Sequence, residues 1–173
     1  MFQQGDRVVY GIHGVCVILD VEQRTVDRKK LDYLVLCPLD QSETRFYVPV
    51  HNQAAVAKLH PLLTKQELDS LLQSAATEHN DWITDENLRK QHYRTMIGSG
   101  DRIALIGMIQ ALYKHKSNQL ASGKKFHLCD ENFLRDAQKL LSGEIAIVLG
   151  ISQNEATDYI KNKFAFNDKS AAE

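Results

Sequence analysis

The sequence predicts an α+β protein in two domains, a small antiparallel β-barrel followed by an all-α helical bundle. Two observations support this. The first 50 residues contain short runs of β-branched and aromatic residues separated by turn-forming residues. After Pro49, apolar residues recur at helical spacing instead. We place the barrel at 1–60 and the helices at 61–166, and we expect residues 167–173 to fray.

Four short strands are predicted in the first domain, at 7–10, 15–21, 32–37 and 44–48. Glycine, aspartate or serine residues lie between them, where turns require such residues. Connections this short favour antiparallel neighbours. The pattern is therefore typical of a small Tudor or SH3-like barrel.

Polar residues predict where the helices of the second domain begin. Thr64 and Ser152 are each followed three residues later by a glutamate, as in a capping box. Asp101 and Asp130 are further N-cap candidates, and another helix is predicted over 84–97. Apolar residues at helical spacing predict the buried faces of the helices after Asp101 and Asp130: Leu105, Met108, Ile109 and Leu112, then Phe133, Leu134, Ala137, Leu140, Leu141, Ile145 and Val148.

Charge is unevenly distributed, although the whole chain carries only −1. Residues 61–88 hold one lysine against six acidic residues, and the stretch around 76–81 is predicted to be a polar, acidic linker. Residues 89–125 hold eight basic residues against one aspartate, a net charge of +7. Such a segment could neutralise the phosphates of a nucleic acid. Alternatively, its cations form a solvated face or pair with segment 61–88.

The single tryptophan, Trp82, lies in a polar setting, between Asp81 and the Thr84–Asp85–Glu86 stretch. A large aromatic ring there either anchors the linker against a helix or stands exposed as an apolar wedge between DNA bases. Residue type alone favours the packing alternative.

Nothing in the sequence indicates an enzyme. His13 and Cys16 lie close together, but strand alternation points them to different faces and no carboxylate orients the imidazole. The three cysteines are spaced neither for a disulfide framework nor for a zinc site. We also find neither an export signal nor a membrane-spanning apolar run. We expect a cytoplasmic protein without catalytic activity, metal, cofactor or small-molecule substrate.

The opening residues 2–15, which include Gly5–Asp6, Tyr10–Gly11 and His13–Gly14, resemble the signature of the CarD/CdnL family of bacterial transcription regulators. The same module occurs in transcription-repair coupling factors. Further segments resemble that family in the expected order: 22–25, 32–36, 47–50, Trp82, 99–101 and 140–146.

The resemblance implies a Tudor-like first domain that binds the RNA polymerase β subunit. Arg24 matches a contact position of the family. A second family arginine is Tyr47 here, and Arg45, expected on the same strand face, could replace it.

The resemblance also implies that the helical domain contacts promoter DNA at the upstream edge of the transcription bubble, largely without sequence specificity, and modulates open-complex stability. Trp82 matches the family's minor-groove wedge. The basic side chains expected at the DNA are Arg89, Lys90, Arg94, Lys114, Lys116, Lys124 and Lys125. Glu131 replaces a family lysine beside Asp130, which predicts an acidic corner there.

Two other functions remain open on the residues alone. In one, the chain is a protein-only adaptor on RNA polymerase, and the basic face contacts solvent. In the other, it is a KOW-like module that binds RNA or ribosomes, because the motif Gly5–Asp6–x–Val8 also occurs in such modules. DNA affinity that falls steeply with salt would exclude the adaptor.

Overall fold

The computed structural model describes residues 2–75 and 81–164. The chain forms two compact units, Met1–Leu62 and Leu63–Glu173, each with a core of its own. The predicted tail and all but the last residue of the predicted linker lie outside the described residues.

The first unit is built on an antiparallel sheet. Its elements are β1 (Arg7–Tyr10), a 3-10 turn (Gly11–His13), β2 (Val15–Val26), β3 (Lys29–Pro38), β4 (Phe46–Pro49), the short helix α1 (Gln53–Val56) and β5 (Leu59–Pro61). The strand order is β4-β3-β2-β1-β5, with β4 and β5 at the two edges. The sheet is open, whereas the sequence predicted a barrel.

Three features of this sheet differ from the prediction. β4 begins at Phe46 and not at residue 44, so Arg45 lies outside the strand on whose face it was expected. β5 was missed because it has only three residues, two of them His60 and Pro61, and it pairs with β1 through Val9 and His60. β2 and β3 are also longer than predicted, since they continue to a two-residue turn. Asp27 and Arg28 form this turn with φ values of 50° and 65°, as a type I′ hairpin requires.

The core of the first unit lies on one face of the sheet, where strand alternation brings apolar side chains together. Cys16 and Ile18 of β2 and Leu36 of β3 are completely buried. The register shifts between Ile18 and Asp20. Burial raises the pKa of the Cys16 thiol to about 12. This cysteine therefore behaves as a small apolar residue, as predicted.

The described part of the second unit is all α-helical: α2 (Lys65–Ala75), α3 (Glu86–Ser99), α4 (Arg102–Ala121), α5 (Leu128–Leu149) and α6 (Gln153–Lys163). Both predicted capping boxes are confirmed. The Glu67 N–H donates to Thr64 Oγ1 at 3.2 Å and Glu67 Oε2 accepts from the Thr64 N–H at 2.7 Å, and Ser152 pairs with Glu155 in the same way. Asp101 caps α4 as predicted.

Asp130 is not the N-cap of α5, contrary to prediction. The helix begins at Leu128, with His127 at the N-cap position, which is three residues earlier than predicted, and Asp130 lies in its first turn. Its carboxylate is completely buried and accepts hydrogen bonds from a side chain of α3 instead.

The core of the second unit confirms the predicted apolar faces. Leu105, Met108, Ile109 and Leu112 of α4 are buried against Leu134, Ala137, Leu141 and Ile145 of α5. Across the described ranges, none of the helices has both the length and the apolar composition needed to cross a membrane.

Candidate functional site

Trp82 lies in the segment before α3 and is partly buried. Its ring stacks on the imidazole of His115 of α4, with centroids 3.6 Å apart and planes 9° from parallel. The Arg89 guanidinium carbon of α3 lies 4.4 Å from the centroid of the indole. The ring is therefore held by side chains of two helices, in keeping with the packing alternative.

Arg89 is held in turn by Asp130. Its Nε and Nη2 each donate to one carboxylate oxygen at 3.0 Å, so the pair is bidentate. Arg89 is 4% exposed and Asp130 is 0% exposed. Burial opposes the charge on Arg89, but the Asp130 hydrogen bonds outweigh it and raise the Arg89 pKa. Arg89, predicted at the DNA, is thus placed in the interior. Below, Trp82, Arg89, His115 and Asp130 are called the Trp82 cluster.

Three further cations of segment 89–125 form ion pairs. Lys90 pairs with Glu86 one helical turn away. Lys116 Nζ contacts both carboxylate oxygens of Glu131 at 3.0 Å, and Arg102 pairs with the buried Glu144 at 2.7 Å. Of these four ion pairs between described residues, Lys90–Glu86 is the one whose acidic member belongs to segment 61–88. The predicted acidic corner at Asp130 and Glu131 is neutralised by Arg89 and Lys116.

The remaining predicted DNA contacts are exposed: Arg94 on α3, Lys114 on α4, and Lys124 and Lys125 in the α4–α5 connection. None has a salt-bridge partner within 4.0 Å among the residues that the structure describes. The cationic surface is thus smaller than the sequence predicted.

Lys114 lies beside Trp82. The two residues line one shallow pocket together with Asp81, His115 and Asn118. Lys114 and Asn118 are one turn apart on α4 and therefore share a helix face. The pocket beside the indole is thus lined by an ammonium group and an amide, which suit phosphate and base-edge acceptors, and by the Asp81 carboxylate, which does not.

The surroundings of His115 favour its neutral form. Burial lowers its pKa, and Arg89 and His127 act in the same direction, whereas Asp130 partly opposes them. Its Nε2 lies 3.2 Å from the side-chain amide nitrogen of Gln119. A neutral imidazole stacks on the indole without repelling the nearby Arg89 cation.

In the first unit, Arg24 is exposed on β2. Its Nε and Nη2 donate to Glu22 Oε2 at 3.2 and 3.0 Å, and its guanidinium carbon lies 3.6 Å from the ring centroid of Tyr47. The hydrogen bond with Glu22 is the main cause of its raised pKa. Tyr47, 41% exposed, thus contacts Arg24 directly.

Arg45 makes different contacts. It lies just before β4, and its Nη1 donates to the carbonyl oxygens of Ser42 and Thr44 and lies 3.1 Å from Cys37 Sγ. These bonds hold its guanidinium in the β3–β4 turn. The structure therefore brings together Arg24 and Tyr47, and it gives Arg45 partners other than Arg24.

Sequence reasoning missed His115 and Asp130 as site residues. The residue pattern indicated no role for His115 in the site and predicted Asp130 as a helix cap. Their partners lie 33 and 41 positions away, so no local spacing could have revealed them. The described residues also contain no group of three or more histidine, cysteine, aspartate or glutamate side chains that could hold a metal.

Two protein-family models match the chain. Residues 2–60 match the CarD-like/TRCF RID domain, and residues 68–161 match the CarD C-terminal domain. Together they cover most of the chain, in the same order as the segments that resemble the family in the sequence. The chain therefore belongs to the CarD family, whose members are transcription regulators that interact with RNA polymerase.

Proposed function

We propose that the first unit, as a Tudor-like module, binds the β subunit of RNA polymerase, and that the helical unit contacts promoter DNA at the upstream edge of the bubble. The second contact changes the stability of the open complex. One observation carries the DNA part of this proposal: exposed Lys114 and the indole of Trp82 line the same pocket.

Arg24 and Tyr47 support the polymerase contact. Both are exposed, they touch each other, and Tyr47 lies on β4, which is an edge strand of the open sheet. An edge strand offers unpaired backbone groups to a partner strand. A guanidinium beside it adds a charge-assisted hydrogen bond to an acidic or carbonyl acceptor.

The exposed cations near Trp82 support the DNA contact. Lys114 would contact a phosphate while Trp82 meets the unstacked step beside it, and neither contact needs a particular base sequence. Arg94, Lys124 and Lys125 would add phosphate contacts. Lys90 and Lys116 contribute less because Glu86 and Glu131 already neutralise them.

The two contacts act together. Each is weak by itself, but binding to polymerase raises the effective concentration of the helical unit at the promoter. The protein shifts the equilibrium between closed and open promoter only if it binds them differently. A ring that requires an unstacked base step provides such a difference.

The test is the lifetime of the open complex with wild-type chain and with Trp82→Ala. We expect the variant to bind polymerase normally and to lose most of the effect on lifetime. Trp82→Phe, which keeps a smaller ring, is the matched control and should retain part of the effect. An unchanged lifetime with Trp82→Ala, at full polymerase occupancy, would exclude the wedge.

A protein-only adaptor is the second candidate, and the ion pairing of half the basic residues of segment 89–125 favours it. An adaptor predicts no DNA affinity with or without polymerase. Titrating promoter DNA onto the polymerase complex at several salt concentrations separates the two, because phosphate contacts weaken steeply with ionic strength.

A further inference from the structure

Arg89 holds both the ring of Trp82 and the backbone that follows it. Besides lying 4.4 Å from the indole centroid, it donates from Nη1 to the carbonyl oxygens of Ile83 at 2.8 Å and Thr84 at 3.3 Å. These are the two residues directly after Trp82. One side chain therefore restrains the position of the segment and the plane of the ring.

Asp130 fixes the orientation of the Arg89 guanidinium. The pair is bidentate and buried, so the planar fork has a single orientation. Asp130 belongs to the first turn of α5, where the helix dipole favours a carboxylate. The orientation of Arg89, and with it the segment 82–84, is thereby coupled to the body of the helical unit.

His115 restrains the indole separately. A stack at 3.6 Å with planes 9° apart leaves the ring no freedom to rotate out of plane without losing contact. His115 is itself on α4, next to Lys114 in the chain. The stack thereby holds the indole beside α4, where Lys114 lines the same pocket.

We infer that Arg89, oriented by Asp130, and His115 are positioning residues that hold Trp82 in the one orientation that meets DNA. This inference rests on the proposed function. Arg89 thus acts on DNA through Trp82, and not through a phosphate as its place in the basic segment suggested.

The loss expected when the ring is released follows from the number of side-chain conformations open to a free indole. A free indole distributes over about three staggered χ1 wells, and its second torsion is about two-fold. If only one orientation is competent, releasing the ring lowers the competent fraction to between about one third and one sixth. The contribution of Trp82 to open-complex lifetime should fall by the same factor.

Trp82 is the only tryptophan in the chain, so its fluorescence reports the ring directly. We would measure time-resolved anisotropy and acrylamide quenching of the full chain, then open-complex lifetime. His115→Ala removes the stack without touching the buried ion pair, and His115→Phe restores an aromatic face. Arg89→Lys keeps the charge but loses the bidentate fork. Arg135→Lys, in the exposed Arg135–Asp136 pair, is the control for Arg89→Lys.

We expect His115→Ala and Arg89→Lys to increase fast ring motion and quenching, and to reduce the contribution of Trp82 to open-complex lifetime about three- to sixfold. His115→Phe should restore both readouts, and Arg135→Lys should change neither. If Arg89→Lys fails to fold, the two His115 variants still test the inference.

The inference is overturned if His115→Ala leaves the anisotropy at its wild-type value, or frees the ring without changing the lifetime while Trp82→Ala shortens it. It is overturned as well if His115→Phe does not restore the lifetime. If even Trp82→Ala leaves the lifetime unchanged, the proposed function itself is wrong. The fluorescence of the free chain then still tests whether Arg89 and His115 restrain the ring of Trp82.

Discussion

Arg24 and Tyr47 are in contact across the strand that separates them. Arg24 is on β2 and Tyr47 on β4, yet the guanidinium carbon lies 3.6 Å from the phenol ring centroid, over β3. Such cation–π contacts orient an arginine that would otherwise be mobile. Tyr47 therefore orients Arg24 at the surface of the first unit.

This contact predicts different losses at its two members. Arg24→Glu should weaken binding to the polymerase β subunit at least about tenfold, since a cation at the contact becomes an anion. Tyr47→Ala should weaken it about two- to fivefold, the value of an exposed cation–π contact, and Tyr47→Phe should bind like wild type. Biolayer interferometry with the purified β lobe measures these changes.

Arg7→Glu, a matched charge reversal at an exposed position of β1, is the control for Arg24→Glu. Equal losses for Arg7→Glu and Arg24→Glu would mean that total charge, and not the Arg24 contact, determines binding.

Salt dependence should separate the exposed cations from the paired ones. Lys114→Gln should reduce the slope of log affinity against log salt by about one, as expected for one lost phosphate contact. Lys90→Gln should reduce it less, because Glu86 already neutralises Lys90. Affinity for promoter DNA in the polymerase complex is measured from low to moderate salt. The assignment is wrong if Lys90→Gln changes the slope as much as Lys114→Gln.

The buried ion pair should contribute strongly to stability. Asp130→Asn leaves the Arg89 cation buried without its counter-charge, which typically costs about 3–5 kcal/mol in the free energy of unfolding. Asp136→Asn on the same helix removes a carboxylate that is 58% exposed and should cost less than about 0.5 kcal/mol. Urea denaturation followed by circular dichroism compares them. A loss below about 1 kcal/mol for Asp130→Asn would contradict this account.

Acid should weaken the Trp82 cluster through His115. Burial holds the folded-state pKa of His115 below its usual value of about 6.5, so the unfolded chain binds this proton first. The stabilisation is complete above about pH 6.5 and is lost as the pH falls through the folded-state pKa. His13, whose pKa burial also lowers, acts in the same direction in the first unit.

The fluorescence of Trp82 reports the contribution of His115 to this pH dependence separately from that of His13. Wild-type emission should change along a titration centred below about pH 6.5. His115→Gln should abolish the change, and His92→Ala, which removes an exposed histidine of α3, should preserve it. A titration that survives in His115→Gln would assign the change to another group.

Local features of the sequence determined the start of three helices, α2, α4 and α6. Capping residues and the backbone groups that they satisfy are at most three positions apart, so Thr64, Asp101 and Ser152 could be recognised from spacing alone. The opening motif could be recognised in the same way, because its residues are also close together in the sequence. The open edges of the sheet and the short β5 could not be seen, since strand pairing depends on distant partners.

The sequence by itself determined two regions of different secondary structure, the family and an excess of basic residues at 89–125. Only the tertiary structure decided which of those residues face solvent. Arg89 is removed from the surface by Asp130, 41 positions along the chain, and Lys116 is neutralised by Glu131. Net charge is a sum over the chain, whereas a phosphate contact depends on exposure and on the nearest counter-charge, which folding alone sets.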